Sequence, residues 1–197
     1  TGWLLVGEDF RYGHKRAGDI EMLREAGKRH GFSVETLHDV ADADGRRISS
    51  SEVRTALAVG QLDRARALLG KPFHISGHVI HGQKLGRDIG YPTLNVRVPE
   101  HCAARSGVYV VRVHGLAGQA LPGIASLGVR PTVIDQGRLL LEVHLLDQRL
   151  DAYGKLARIE FLEFVRDEEK FPDLITMIAA IDNDAQRARD YFASNGL

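Results

Sequence analysis

A glycine-rich segment spanning residues 82–95 has the composition of a phosphate-binding loop. Three glycines fall within nine positions, with two cations among them: Gly82, Gly86 and Gly90, with Lys84 and Arg87. Glycine allows backbone amides to approach a phosphate chain closely. The segment is not a Walker A loop, because only three residues separate its first two glycines and Pro92 prevents a helix from starting where that loop needs one. A nucleotide-binding loop and a simple glycine-rich β-hairpin both fit this composition.

The residues that follow this loop could bind a metal ion. Thr93 and Asn95 are two positions apart, so in an extended strand their side chains share one face, about 7 Å apart along the chain. A hydroxyl and an amide carbonyl are oxygen ligands of the kind that Mg²⁺ accepts beside water and substrate phosphates. The alternative is structural, with the threonine as an ordinary strand residue and the asparagine capping a turn.

An acidic residue stands in the middle of the most apolar stretch of the chain, residues 139–146. Strand alternation places Glu142 and His144 on one face and Leu141, Val143 and Leu145 on the other. A carboxylate in such surroundings is costly unless it has a partner or a role. Kinases place an acid where it can accept the proton of the attacking hydroxyl. The alternative is an exposed strand face on which the glutamate points to water.

The overall charge of the chain is balanced, with 26 lysines and arginines against 26 aspartates and glutamates. Recruitment of nucleic acid or of an anionic membrane by a global field is therefore not expected, and a small-molecule substrate must be recognised locally. Cys102 is the only cysteine, which excludes an intramolecular disulfide and favours a reducing, cytoplasmic compartment. No run approaches the ~18 apolar residues of a membrane span.

The first part of the chain has the pattern of an α/β unit. A strand at 3–6, a helix at 19–30 that Gly31 ends, and a strand at 33–40 predict a βαβ-like arrangement. Because the first strand starts without a preceding turn, we expect the chain to begin inside a domain. Helices are predicted from the Ser49–Glu52 capping-box spacing to Gly60 and over 62–69. Gly70-Lys71-Pro72 then marks the expected boundary between domains 1–70 and 71–197.

The second part of the chain has the pattern of a small β-barrel. Six strands are predicted, separated by turns that contain Gly, Pro or Asp, over residues 73–80, 93–98, 108–114, 121–127, 139–146 and 156–165. Apolar residues at helical spacing over 172–192 predict a final helix packed against the barrel. The expected fold class is therefore α+β.

These segments together resemble the bifunctional bacterial riboflavin kinase/FMN adenylyltransferase family, also called FAD synthetase. Several motifs of the second part carry the resemblance: residues 82–95, 107–109, 127–132, 142–144, 150–154 and 165–171. The first of them departs from the family pattern only where Leu94 replaces the usual alanine. The resemblance implies a six-stranded antiparallel flavokinase β-barrel with a C-terminal helix, preceded by the C-terminal part of an α/β nucleotidyltransferase domain.

The resemblance also implies roles for individual residues, with ATP and riboflavin as substrates, Mg²⁺ as the cofactor and FMN as the product. Thr93 and Asn95 would hold Mg²⁺ and the nucleotide phosphates, and Glu142 would orient and deprotonate the ribityl 5′-hydroxyl. Nucleotide contacts would come from Gly82, Lys84, Gly86, Arg87 and Tyr153, and flavin contacts from Arg166 and Phe171. Glu169 stands where some relatives have a flavin-contacting lysine.

The first part matches the C-terminal portion of the family's adenylyltransferase domain, through residues 6–13, 16–19 and 48–54. These segments contain the expected remnant motif residues Asp9, Phe10, Ser49, Ser50 and Arg54. That domain in the family begins with a His-x-Gly-His motif that grips ATP, and the motif is absent from these 197 residues. The expectation is therefore that the chain as given makes FMN but little or no FAD.

Three alternatives to this interpretation differ in class. A flavin-binding module without catalysis would not need Thr93, Asn95 and Glu142 together. A fragment of a bifunctional enzyme that also adenylylates FMN would change the list of activities but not the kinase site. An oligonucleotide-binding barrel needs a basic face with interleaved aromatic residues, which the balanced charge and the 7% aromatic content disfavour. The sequence does not indicate the oligomeric state.

Overall fold

The computed structural model describes residues 1–82, 86, 89–129 and 139–196. Its contacts divide the chain into two compact units, Thr1–Ser49 and Ser50–Leu197. Each unit is described by itself below.

The first unit is a strand–helix–strand arrangement. Strand β1 (Trp3–Gly7) pairs in parallel with strand β2 (Ser33–Leu37), and helix α1 (Ile20–His30) connects them after a short 3₁₀ turn at His14–Arg16. Asp19 caps α1 by accepting a hydrogen bond from the amide of Met22 at 3.0 Å. The predicted βαβ-like unit is confirmed, but β2 ends at Leu37 and not at Val40, because its partner strand ends where Gly7 pairs with Leu37.

Two helices open the second unit, α2 (Ser50–Ala58) and α3 (Leu62–Leu69). Helix α3 has the predicted bounds, and Gly70 ends it in the left-handed conformation. Ala56, Leu57 and Ala65 from these helices are buried together with the interior residues of the barrel that follows. The contacts therefore divide the chain at Ser49/Ser50, before the boundary that the sequence predicts at residue 70. The assignment of residues 1–70 and 71–197 to two functional domains stays a prediction.

A closed six-stranded antiparallel barrel forms the body of the second unit, and all six predicted strands are confirmed. The strands are β3 (His74–Ile80), β4 (Leu94–Arg97), β5 (Gly107–His114), β6 (Leu121–Val129), β7 (Leu139–Leu145) and β8 (Leu156–Arg166). Their order around the barrel is β3-β4-β7-β6-β5-β8. Closure pairs β3 with β8, so that the sheet has no free edge.

The two faces of the barrel wall have different environments. Inside, residues such as Tyr109, Leu141 and Val143 are fully buried, and each buried apolar side chain of this size contributes about 1.5–3 kcal/mol. Outside, helix α4 (Leu174–Asn195) covers Val110 and Ile124 with residues of its second half. Residues 174 and 175 at its start are exposed, because the contact with the barrel begins further along the helix. Within the described residues, no helix is both long and apolar enough to cross a membrane.

Candidate active site

Strands β4 and β7 bring together three residues that the sequence predicts to be functional. Asn95 and Glu142 are direct partners in the antiparallel ladder between these strands. Thr93 lies just before β4, and its hydroxyl is 3.5 Å from Oε1 of Glu142. Alternation along β7 buries Leu141 and Val143 inside the barrel. Glu142 therefore lies on the outer face, where it is half-buried in a cavity described below.

The side chain of Asn95 is buried, with 4% of the residue exposed. Its Nδ2 donates to the carbonyl of Thr93 at 3.5 Å, whereas its Oδ1 accepts no hydrogen bond from any described residue. A Cβ at Gly82 would come within 2.4 Å of Nδ2 and 2.7 Å of Oδ1, so only glycine fits over this amide. A buried carbonyl oxygen without a donor costs free energy unless a ligand satisfies it. The Oδ1 atom is therefore suited to a cation.

A first cavity of about 450 Å³ lies beside Thr93 and the start of β4. It is lined by Pro92, Thr93, Leu94, Leu145, Gln148, Arg149, Leu150, Asp151, Ala152 and Tyr153. The ring of Tyr153, predicted to contact the nucleotide, stacks on His81 with the ring centroids 3.8 Å apart. His81 therefore provides a second aromatic surface next to this cavity. His81 is not among the site residues predicted from the sequence.

A second cavity, of about 350 Å³, lies between the outer face of the barrel and α4. Glu142, Arg166 and Phe171, all predicted to be at the site, line it. Apolar side chains supply much of its remaining wall, among them Val108, Ile124, Met177 and Ile181. Thr93 lines both cavities. The arrangement can therefore hold two ligands whose reacting ends meet at the hydroxyl of Thr93 and the carboxylate of Glu142.

Arg166 is fixed by an acidic residue of α4. Its Nε and one terminal nitrogen donate to the carboxylate of Asp184 at 2.7–3.1 Å. The hydrogen bonds to Asp184, which is 3% exposed, raise the pKa of the guanidinium above its ordinary value. The guanidinium carbon lies 5.6 Å from the ring centroid of Phe171, within range of a cation–π interaction. The ion pair thus holds the two residues predicted to contact the flavin in one arrangement.

A second contact with α4 involves the residue at the end of the glycine-rich loop. The hydroxyl of Tyr91 donates a hydrogen bond to Asp182, which raises the pKa of the phenol above its ordinary value. The Tyr91 ring packs edge-on against His144, with the centroids 4.9 Å apart. Nδ1 of His144 lies 3.0 Å from the carbonyl oxygen of Pro92. Because a carbonyl only accepts, the imidazole donates in this hydrogen bond.

A third polar contact joins β6 to the segment after β8. Ser126 is the ladder partner of Glu142 on β6, and its hydroxyl donates to Oε1 of Glu168 at 3.0 Å. Gly128 leaves room for this carboxylate, since a Cβ there would lie 1.9 Å from Oε1. Both Ser126 and Glu168 line the second cavity.

The sequence prediction missed several of these contacts. Asp184 had a readable signal, because it lies three residues after Ile181 and four before Ala188 on the apolar face of the predicted helix. An acid at such a position needs a partner. Asp182 and Ser126 carry no comparable local signal.

Other predicted site residues are placed as follows. Gly86 lines the second cavity, whereas Lys84 and Arg87 lie outside the described residues. In the first unit, Asp9 forms an ion pair with Arg47 at 3.1 Å, which lowers the pKa of Asp9. Phe10 stacks on Tyr12, and Ser49 ends this unit. Ser50 and Arg54 belong to α2 in the second unit, where Arg54 donates to the hydroxyl of Ser51 at 3.5 Å.

Two family models match the chain. The riboflavin kinase (flavokinase) model covers residues 69–192, and the FAD synthetase model covers residues 2–52. The first match contains the barrel, both cavities and α4 up to Phe192. The second lies almost entirely within the first compact unit.

Full-length relatives match over both parts. The bifunctional riboflavin kinase/FMN adenylyltransferase of Pseudomonas fluorescens is 45% identical over 186 residues, which is 94% of this chain and 59% of that protein. The Escherichia coli K12 protein of the same name is 44% identical over 190 residues, or 96% of this chain and 60% of that protein. The chain thus spans about 60% of the length of the curated relatives it matches.

Among the solved structures that resemble this chain, one matches it over most of its length. It is the crystal structure of a protein named as a macrolide-efflux protein from Streptococcus pneumoniae, with a TM-score of 0.72 and 30% sequence identity. The match covers 93% of this chain and 58% of that chain.

Proposed function

The chain belongs to the riboflavin kinase family, and we propose that it transfers the γ-phosphoryl group of ATP to the 5′-hydroxyl of riboflavin, giving FMN and ADP. The observation that carries the proposal is the meeting of two cavities at Thr93. Glu142 lies at that meeting point, 3.5 Å from the threonine hydroxyl. A cytoplasmic location is part of the proposal, supported by the single cysteine.

The two cavities differ in the ligand that they suit. We assign ATP to the first, which is lined by the aromatic ring of Tyr153 and by Thr93. Riboflavin is assigned to the second, whose apolar wall and Phe171 suit the isoalloxazine ring and whose Glu142 suits the ribityl chain. Contacts of Lys84 and Arg87 with the phosphates remain predictions of the sequence.

The residues around Asn95 fit a magnesium ion. Oδ1 of Asn95 is buried without a described donor, and the Thr93 hydroxyl, two residues earlier in the chain, is the proposed second oxygen ligand. When bound, the ion would neutralise charge on the phosphates. Gly82 leaves the space in which the Asn95 amide sits.

The chemistry of the transfer is assigned to Glu142. In the proposed step its carboxylate accepts the proton of the riboflavin 5′-hydroxyl as the oxygen forms a bond to the γ-phosphorus. The bond between this phosphorus and the β–γ bridging oxygen breaks, and ADP departs with that oxygen. Strands β4 and β7 hold Asn95 and Glu142 in a fixed register, so most of the rate enhancement would come from positioning and charge neutralisation.

The experiment that tests the proposal is incubation of the chain with riboflavin, ATP and Mg²⁺, followed by chromatographic separation of the flavins. We expect FMN, and none when ATP is omitted or Mg²⁺ is chelated. Binding of riboflavin without FMN formation would favour a flavin-binding module and contradict the proposal.

A second candidate function is the adenylylation of FMN to FAD. It is supported by the match of residues 2–52 to the FAD synthetase model and by the relatives' bifunctional names. The same separation tests it, because FAD would elute as a third flavin. From the sequence we expect little or no FAD from these 197 residues, which contain no His-x-Gly-His motif.

A further inference from the structure

Thr93 occupies an unusual position for a residue on which two cavities converge. Strand β4 begins at Leu94, so Thr93 lies outside the ladder that fixes Asn95 and Glu142. The residue before it is Pro92, which has no N–H to donate. The carbonyl of Pro92 is therefore the one main-chain hydrogen-bonding group of that residue, and whatever binds it helps to set the position of Thr93.

His144 binds that carbonyl. It lies on β7 two residues after Glu142 and on the same face, and its Nδ1 donates to the Pro92 oxygen at 3.0 Å. Leu94 is the ladder partner of Val143, so the chain immediately before β4 runs beside His144. The side chain also lines the second cavity. One residue thus connects the strand that carries Glu142 to the segment that carries Thr93.

Tyr91 supports the orientation of this imidazole. Its ring packs edge-on against His144 at an interplanar angle of 63°. The Tyr91 amide donates to the carbonyl of Gly86 at 2.7 Å, and its hydroxyl donates to Asp182 of α4. Tyr91 is therefore held both through its main-chain amide and through its side-chain hydroxyl. Because its ring packs against the imidazole, this limits rotation of the His144 side chain.

We propose that His144 is a positioning residue for phosphoryl transfer: its Nδ1–H, held in orientation by Tyr91, fixes Pro92 and thereby aligns Thr93 with Glu142. The proposal rests on the kinase activity proposed above. Both the charged imidazole and one neutral tautomer carry the Nδ1–H, so the role does not depend on protonation of the ring. Misplacement of reacting groups by about 1 Å can lower turnover ~10²-fold.

Two substitutions of nearly equal shape separate positioning from packing. In His144→Asn the amide nitrogen can occupy the place of Nδ1 and still donate, whereas His144→Leu has a similar size and no donor. We expect kcat to fall about 10- to 100-fold in His144→Leu and to stay within about threefold of wild type in His144→Asn. Because His144 also lines the cavity assigned to riboflavin, the two variants are compared with each other: their dissociation constants for riboflavin, measured by flavin fluorescence without nucleotide, should differ less than about threefold.

The controls address folding and the assigned activity separately. His114→Leu removes a half-buried histidine of β5 that pairs with Glu160 and lines neither cavity, so its kcat should match wild type. Far-ultraviolet circular dichroism checks that each variant is folded, and His144→Met, which also lacks an N–H donor, replaces His144→Leu if the leucine variant is not. A kcat of His144→Leu within twofold of wild type, or equal losses in the asparagine and leucine variants, would overturn the proposal. Absence of FMN formation by the wild-type chain would instead overturn the proposed kinase function.

Discussion

Asn95 and Glu142 face each other across strands β4 and β7, and each serves a different part of the site. The Asn95 amide is buried beneath Gly82, and its Oδ1 accepts no hydrogen bond from a residue that the structure describes, whereas Glu142 lines the second cavity beside Thr93. The main-chain hydrogen bonds of the ladder set the separation between Asn95, the candidate cation ligand, and Glu142, the candidate base. Both residues are therefore held on rigid strands. Such preorganisation favours charge stabilisation without rearrangement during the reaction.

Replacement of Glu142 by glutamine tests its role as the proton acceptor. The amide keeps the size of the side chain but cannot take up the proton of the attacking hydroxyl, so we expect kcat to fall about 10²-fold or more. Riboflavin affinity should change little, because the cavity keeps its shape. Steady-state production of FMN gives kcat, and Glu160→Gln on the outer face of β8 is the matched control. Turnover near wild type in Glu142→Gln would remove the residue from this role.

Replacement of Asn95 by alanine tests the proposed metal ligand. Loss of outer-shell partners alone costs metal sites about 10- to 100-fold in affinity, so loss of a direct ligand should raise the Mg²⁺ concentration for half-maximal activity at least about tenfold. The measurement is FMN formation against free Mg²⁺ at saturating ATP and riboflavin. If the midpoint is unchanged while kcat falls, Asn95 acts through the structure of the site and not through the ion.

Substitution of Gly82 by alanine tests the space above the Asn95 amide. The added Cβ would lie 2.4 Å from Nδ2 of Asn95, so the amide must move, and such overpacking costs about 1–3 kcal/mol. We expect activity to fall at least about tenfold with the barrel still folded. Gly118→Ala is the matched control, because its Cβ would meet no atom within 4 Å. Equal activity of the two variants would show that the amide position is not important for turnover.

Much of the barrel was predictable from the sequence because each strand carries its own local signal. Residues 139–146 alternate around Glu142, and the alternation alone predicted Leu141 and Val143 on one face and Glu142 on the other. The structure buries Leu141 and Val143 inside the barrel. Helix α3 has its predicted bounds because Gly70 ends it in a conformation that favours glycine.

The contacts between elements were less predictable, because local periodicity does not specify which side chains meet. The ladder order that makes Asn95 the partner of Glu142 depends on closure of the whole barrel. The bond from Tyr91 to Asp182 joins residues far apart in sequence, and neither has an unusual local pattern. The burial of α2 and α3 against the barrel likewise placed the division of the chain before the Gly-Lys-Pro turn at residue 70.

Replacement of Asp184 by asparagine should destabilise the second unit and weaken flavin binding. Asp184 is almost fully buried, and Arg166 would lose the charge that pairs with its guanidinium. Removing one partner of a buried ion pair typically costs about 3–5 kcal/mol, and the partial exposure of Arg166 places the expected loss at the lower end, about 3 kcal/mol. Riboflavin affinity should fall in the same variant, because Arg166 and Phe171 line the second cavity.

The unfolding measurement must report on the barrel itself. The sole tryptophan, Trp3, lies in the first unit, so urea unfolding of Asp184→Asn is best followed by far-ultraviolet circular dichroism. Asp190→Asn is the control, since Asp190 is exposed on the same helix and bonds only to Gln186 among the described residues. A stability equal to that of the control would contradict a structural role for the pair.

Tyr91 should make the second unit less stable in alkaline solution. Its hydrogen bond to Asp182 raises the pKa of the phenol in the folded state, so folding favours the protonated form. The resulting stabilisation is fully present below the unfolded pKa of about 10 and is lost as the pH rises from there through the folded pKa. Tyr91→Phe removes the titrating group and keeps the ring that packs on His144.

We therefore expect the difference in unfolding midpoint between wild type and Tyr91→Phe to be constant from pH 7 to 9 and to shrink above pH 10. Because burial also raises the pKa of Tyr109, the comparison with the variant, and not the wild-type curve alone, isolates Tyr91. A difference that stays constant up to pH 11 would mean that folding does not raise the pKa of Tyr91, which would contradict this prediction.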